Sequence, residues 1–314
     1  MDTQAPETML EAARRFADPQ VAHDYFVAIR WPNGVGCPRM GCGSMDVTFY
    51  PKHRRWYCKD CRHQFTAKVG TVFEDSPIGF DKWLPAMWLI ASNRNGISSC
   101  ELARALHVTQ KTAWFMLHRI RQIMQNEAFV RLQGPVEADE TFVGGKFRNL
   151  TMKHRRRLAG PSGRQPNPLA SKTVVMGIVE RGGEARAWVV PDTAKDTLQN
   201  KIAEHVTAGE TVYTDAHPSY MGLRRGYNHY VINHAVEYVN GHVYTNTIEA
   251  FWSVFKRTIK GTYIAPRPWH LQRYVEEQVF RFNARKETDG ERFPKALKRV
   301  EGVRLTYKAL ISKK

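Results

Sequence analysis

The sequence predicts a multidomain α+β protein, and three observations carry that prediction. Four of its five cysteines fall in two close pairs within the first quarter of the chain. Two helical segments with apolar faces follow, around residues 99–124. From residue 135 the texture changes to strand-like runs interleaved with helical ones. The expected division is an N-terminal helical segment (1–30), a cysteine-rich ribbon (31–70), a helical region (71–130), a mixed α/β domain (131–285) with a basic mobile insert (146–172), and a basic C-terminal tail (286–314).

The ribbon is the most local of these features. Cys37 and Cys42 form C-x4-C, fifteen residues intervene, and Cys58 and Cys61 form C-x2-C. Each pair offers two thiolates from a tight turn, and two such turns complete a four-thiolate site for one structural Zn²⁺. "DVTFY", "RRWYC" and "HQFTAK" read as three short strands around it. Zinc would hold together a segment whose own core is too small to fold it. His53 and His63 are expected on the surface, because four thiolates already fill the site. Cys100, outside both pairs, is expected to be a small buried residue.

Lys and Arg number 47 against 30 Asp and Glu, a formal charge of +17, which points to a polyanion partner, nucleic acid by default. No uninterrupted apolar run approaches the roughly 20 residues a membrane-spanning helix needs. The N-terminus has no apolar stretch of the secretory kind. A soluble cytoplasmic protein is expected.

Ser99 to Leu106 reads as a short helix with Leu102, Ala105 and Leu106 inward, and Thr109 as the N-cap of a second. The second places Ala113, Leu117, Ile120 and Met124 on one face. This is a helix-turn-helix pattern, in which Lys111 and Thr112 lie in the exposed first turn that meets base edges, and Arg119 and Arg121 reach phosphates.

The strand-rich part runs β-β-β-α-β-α-β-α, with a hairpin at Gly182-Gly183, and this order is that of a ribonuclease-H-like domain. In such a sheet the first and fourth strands are neighbours. Asp139 in "PVEADETFVGG" and Asp215 at the end of "ETVYTD" would then stand side by side. Adjacent carboxylates raise each other's pKa unless a cation lies between them, and Mg²⁺ or Mn²⁺ suits such a site. Glu249, 34 positions after Asp215, would complete a two-metal clamp. Lys256 follows seven residues later, within about 20° of the same helix face. Alternation puts Glu137 on the same strand face as Asp139 and Glu140 on the other, so Glu137 competes with Asp139 for the metal. The insert at 146–172 holds eight Lys/Arg and no acid, and is expected to order on DNA through residues such as Arg155, Arg156 and Arg157.

Taken together, "RWPNGVGCP", "CKDCRHQFTAKVGTVFEDS", "KTAWFMLHRIR", "EADETFVGGK", "YTDAHPSY" and "TNTIEAFWSVFKR" resemble the blocks of bacterial insertion-sequence transposases of the DDE type, in the branch headed by a zinc ribbon. They span roughly residues 20–285, in the family's order. The resemblance implies a retroviral-integrase-like catalytic domain with Asp139, Asp215 and Glu249 as the triad and two Mg²⁺ (or Mn²⁺) bound there. It makes Lys256 the basic residue after the triad, with Arg257 and Lys260 as further DNA contacts. It implies double-stranded DNA as partner, both element ends and target, and at least a homodimer on it. Two departures stand out: the first cysteine pair is longer than the usual C-x2-C, and some relatives use asparagine as the third ligand, which makes Asn246 an alternative to Glu249. Two rival readings stay open, a DNA-binding regulator that lost its chemistry and a metal-dependent nuclease without strand transfer.

Overall fold

The computed structural model describes residues 3–125, 130–145, 147–159, 168–232 and 243–312. Two compact units emerge, residues 1–125 with 284–314, and residues 126–283.

In the first unit, helix α1 (Met9–Phe16) begins at a reciprocal cap between Thr8 and Glu11. Helix α2 (Pro19–Arg30) begins at Asp18, whose carboxylate accepts from Gln20 and Val21. The chain then forms the three expected strands, β1 (Val47–Tyr50), β2 (Arg55–Cys58) and β3 (Gln64–Phe65), in one antiparallel sheet. Helix α3 (Phe80–Ser92) is apolar nearly all round and central, with Trp83, Leu84, Met87 and Ile90 buried. Phe26 of α2 stacks on Phe80 at 4.4 Å. Helices α4 (Ser99–Leu106) and α5 (Gln110–Ile123) follow as expected, joined at His107 in the left-handed conformation (φ 49°). Thr109 caps α5 by accepting from the Thr112 N–H.

The second unit is a five-stranded mixed sheet covered on both faces. Its strands are β4 (Val136–Val143), β5 (Thr173–Glu180), β6 (Ala185–Val190), β7 (Thr211–Asp215) and β8 (Asn228–Ile232), in the order β6-β5-β4-β7-β8. Between β4 and β5 lies helix α6 (Met152–Ala159), so the basic insert expected as a loop is helical over these eight residues. Helix α7 (Lys195–His205) packs Leu198 and Ile202 against Ala138, Met176 and Ile178 on one face of the sheet. On the other face, α8 (Asn246–Thr258), one π-helical turn (Ile259–Tyr263) and α9 (Pro268–Asn283) pack against Val175, Val179 and Ala187.

The chain ends in the first unit with α10 (Asp289–Leu297) and α11 (Tyr307–Ile311). The stretch expected as a basic tail is therefore folded: Phe293 packs its ring on Phe16 and Tyr25, and Leu297, Val300, Leu305 and Leu310 are buried.

Four expectations in the helical region are revised. Arg119 and Arg121 are buried, at 4% and 1% exposure, and cannot reach a phosphate. Arg119 donates to the carbonyls of Leu305 and Glu74, so its charge serves the packing of the C-terminal segment. Ala105 and Cys100, both expected inward, are exposed, because α4 is short and buries only Leu102 and Ala103.

Arg119→Ala should lower the stability of the first unit by roughly 1–3 kcal/mol, the cost of leaving buried carbonyls without their donor. Thermal melting checks this, and the salt slope of DNA binding should not change. A phosphate contact would instead reduce that slope by about one.

Candidate metal centre and carboxylate site

The four paired cysteines come together in the first unit. Their sulfurs lie within 4.8 Å of one another, with Cys37–Cys61 at 3.6 Å and Cys42–Cys58 at 3.7 Å. A tetrahedron with zinc–sulfur bonds of about 2.3 Å has sulfurs about 3.8 Å apart, so the set has the size a zinc ion requires. The longer first turn is accommodated by Gly41 and Gly43, both with positive φ (79° and 64°). The second turn closes through the Cys58 N–H to His63 carbonyl bond and a left-handed Arg62. His53 and His63 are exposed, as expected. Without a metal, burial and neighbouring thiols push Cys37 up to about 12. Thiolate ligation must therefore release protons.

The carboxylate site lies in the second unit, where β4 and β7 pair in parallel with Val136 opposite Val212 and Glu137 opposite Tyr213. Continued two residues beyond the last of these pairs, that register leads to Asp139 and Asp215. Asp139 is opposite Gly177 of β5, and a Cβ on Gly177 would lie 2.7 Å from the Trp252 ring and 3.4 Å from Ile248. Glycine at this point lets α8 approach the sheet beside Asp139. Burial, and then the negative charges of Glu140 and Asp215, push the Asp139 carboxyl up to about 7, and Lys256 opposes them. Asp215 and Lys256 are thus both within electrostatic reach of Asp139.

Glu140 faces the opposite side of the sheet, as alternation requires, and accepts from the Tyr220 hydroxyl at 2.7 Å. Burial raises its pKa, and the Tyr220 bond opposes the rise. His217 donates its backbone N–H to Asp215 Oδ1 at 3.0 Å and fixes that carboxylate's rotamer. Asn246 and Glu249 occupy the first turn of α8 and are exposed, and Glu249 Oε1 accepts from the Thr245 hydroxyl at 3.1 Å. Among the described residues, only the four-cysteine group has its donor atoms this close together, so the three carboxylates are not gathered to the same degree. Oxygen-only donors with a raised carboxyl among like charges nevertheless fit a hard divalent cation.

Of the expected DNA contacts, Lys111 is exposed, with its ammonium 4.8 Å from the Tyr307 ring, and Thr112 shares its hydroxyl with Thr109 at 2.8 Å. Lys256, Arg257, Lys260 and Arg156 are exposed. Arg155 folds back on the carbonyls of Leu150 and Arg148. The Arg157 side chain lies outside the described residues, as do 146 and 160–167 of the insert.

Sequence reasoning missed Arg181, Thr245 and Thr247, and treated Glu137 only as a rival to Asp139. Glu137 is fully buried and faces the start of α8, not Asp215. Its place on the Asp139 face of the strand was the available signal.

The model of the ISXO2-like transposase domain matches residues 131–283, and that of the transposase zinc-ribbon domain matches residues 18–64. A protein in the transposable element ISH50 of Halobacterium salinarum is 29% identical over 252 residues, 78% of this chain and 84% of its own. A transposase-like protein of Haemophilus influenzae is 35% identical over 96 residues, 30% of this chain and 77% of its own. The chain belongs to the ISXO2-like transposases headed by a zinc ribbon. No helix among the described residues is long and apolar enough to cross a membrane.

Purified protein should contain one zinc per chain by elemental analysis, and Cys58→Ser should lose it; a zinc-free folded ribbon would contradict the site. A second expectation concerns pH. The folded-state value of Asp139, about 7, lies above the ordinary 3.8, so the folded protein holds a proton that the unfolded chain has lost. Without added divalent ion, stability should therefore fall as pH rises through this window, by up to ~1.4 kcal/mol per pH unit. Asp139→Asn should be more stable than the parent at pH above the window and equal to it below. Thermal melts across pH check both.

Proposed function

We propose that this protein binds the ends of its insertion sequence and catalyses divalent-metal-dependent strand cleavage and strand transfer. The observation that carries the reading is the parallel pairing of β4 with β7, whose register, continued two residues, leads to Asp139 and Asp215, in a chain of the transposase family. The sheet order β6-β5-β4-β7-β8, with β4 central and parallel to β7, supports a ribonuclease-H-like fold.

Asp139 and Asp215 would hold two Mg²⁺ (or Mn²⁺) with Glu249, which α8 carries over the Asp139 face of the sheet. The ions, when bound, would supply Lewis-acid polarisation of the phosphodiester. The chain's own contribution is position: His217 fixes Asp215, Gly177 admits α8, and exposed Lys256 is available to a phosphate. Water would displace the 3′-oxygen at the element's end and leave a 3′-hydroxyl. That hydroxyl would then attack a target phosphate, exchanging one P–O bond for another. The zinc ribbon, and α5 through Gln110, Lys111 and Thr112, would recognise the ends. Holding two ends at once calls for a homodimer or larger assembly on DNA.

Labelled element ends incubated with and without Mg²⁺ test this directly. Asp139→Asn and Asp215→Asn should each abolish cleavage and joining while retaining end binding. Glu249→Gln should lose nearly all activity and Asn246→Ala only part, because a full negative charge with two oxygens suits a hard cation better than an amide dipole. The reverse ranking in folded, DNA-binding proteins would assign the third ligand to Asn246. Joined products from either aspartate variant at the parent rate would remove that residue from the site.

A further inference from the structure

The first turn of α8 is held from outside the helix. Helix starts leave backbone N–H groups without partners, and the residue before the helix usually accepts from them. Thr245 stands in that place and makes no such bond; its hydroxyl donates to Glu249 instead. Glu137 on β4 supplies the missing acceptor. Its Oε2 accepts from the N–H groups of Thr247 at 2.8 Å and Ile248 at 2.9 Å. Its Oε1 accepts from the Thr247 hydroxyl at 3.0 Å and from Arg181 Nε at 2.8 Å. A carboxylate at a helix N-terminus also meets the positive end of the helix dipole.

Arg181 extends this attachment to two further segments. Its guanidinium lies 3.7 Å from the ring centre of Tyr213 and 3.6 Å from that of Tyr244. It also donates to the Tyr244 carbonyl at 2.6 Å. Tyr213 precedes Asp215 by two residues on β7, and Tyr244 leads directly into Thr245. The pair therefore ties together β4 two residues before Asp139, β7 two residues before Asp215, and the turn that carries Asn246 and Glu249.

We propose that Glu137, with Arg181, is a positioning residue that fixes where Glu249 stands relative to Asp139 and Asp215. The proposal rests on the reading of those three carboxylates as the metal ligands. Glu137 lies too deep to touch substrate, at 0% exposure. It acts through the helix: its bonds hold the N–H groups of two successive peptides, Asn246–Thr247 and Thr247–Ile248, immediately before Glu249. Charge matters here as well as shape. A glutamine would turn its NH₂ toward a group that can only donate in either orientation, the two backbone N–H groups in one and Arg181 in the other.

The test compares full-length Glu137→Gln with the parent protein. The Thr247 and Ile248 amides should exchange hydrogen at least about tenfold faster, with no metal or DNA present. The Mg²⁺ concentration for half-maximal cleavage should rise roughly 10- to 100-fold, as when a partner of a metal ligand is removed. The rate should recover toward the parent's at saturating Mg²⁺, and end binding should be unchanged. A merely structural role would lower activity at every Mg²⁺ concentration in proportion to the unfolded fraction, and that result overturns the proposal. So does an unchanged half-maximal concentration. Arg181→Lys keeps the charge but loses the stack between the two tyrosines, and it carries the same test if Glu137→Gln does not fold. Glu249→Gln, run alongside, separates the two claims. If it cleaves as the parent does, the ligand reading and the proposal both fall. If it is inactive while Glu137→Gln keeps the parent's Mg²⁺ dependence, the positioning role alone falls.

Discussion

Parallel pairing between β4 and β7 is the constraint around which the second unit is arranged. The register Glu137–Tyr213, continued two residues, leads to two aspartates on adjacent strands, and the charge of Asp215 opposes that of Asp139. Asp139 records the cost, pushed up to about 7 by burial and by Glu140 and Asp215. A sheet whose only task was stability would place apolar residues there, as it does at Val136 and Val212, three residues earlier and on the opposite face. The unfavourable placement is intelligible as preparation for a cation, which converts the repulsion into binding.

The helix that carries Glu249 is attached by equally specific means. Gly177 removes the one side chain that would hold α8 away from the sheet beside Asp139. Glu137 then fixes the helix end, leaving the Thr245 hydroxyl to orient Glu249. In the first unit the corresponding device is the four-thiolate set, because β1 to β3 are short strands, with β3 only two residues long. Strands of that size do not make a stable sheet alone.

Features written in local spacing were legible in the sequence. The cysteine pairs, the Gly182-Gly183 hairpin and the Thr109 cap each depend on a few neighbouring residues, and each is found where expected. The pairing of the strands that carry Asp139 and Asp215 was legible for a different reason, since strand order suffices to bring β4 beside β7. Arg119 was not, because its acceptors, Leu305 and Glu74, lie 186 and 45 residues away. The basic residues of the C-terminal segment likewise disguised a set of apolar anchors: Phe293, whose ring meets Phe16 and Tyr25, and the buried Leu297 and Leu305. Glu137 was seen but misjudged. Alternation reports the face a side chain points to, and only the position of α8 shows what waits for it there.

The central claim is that Asp139 and Asp215 share a divalent cation. Crystals soaked in Mn²⁺ and measured at the manganese absorption edge test it without reference to activity. The account predicts an anomalous peak between the two aspartates, with an oxygen of each in coordination distance, and its loss in Asp139→Asn. Well-ordered crystals with no peak there, or with manganese bound only by Glu140 on the other side of the sheet, would contradict it.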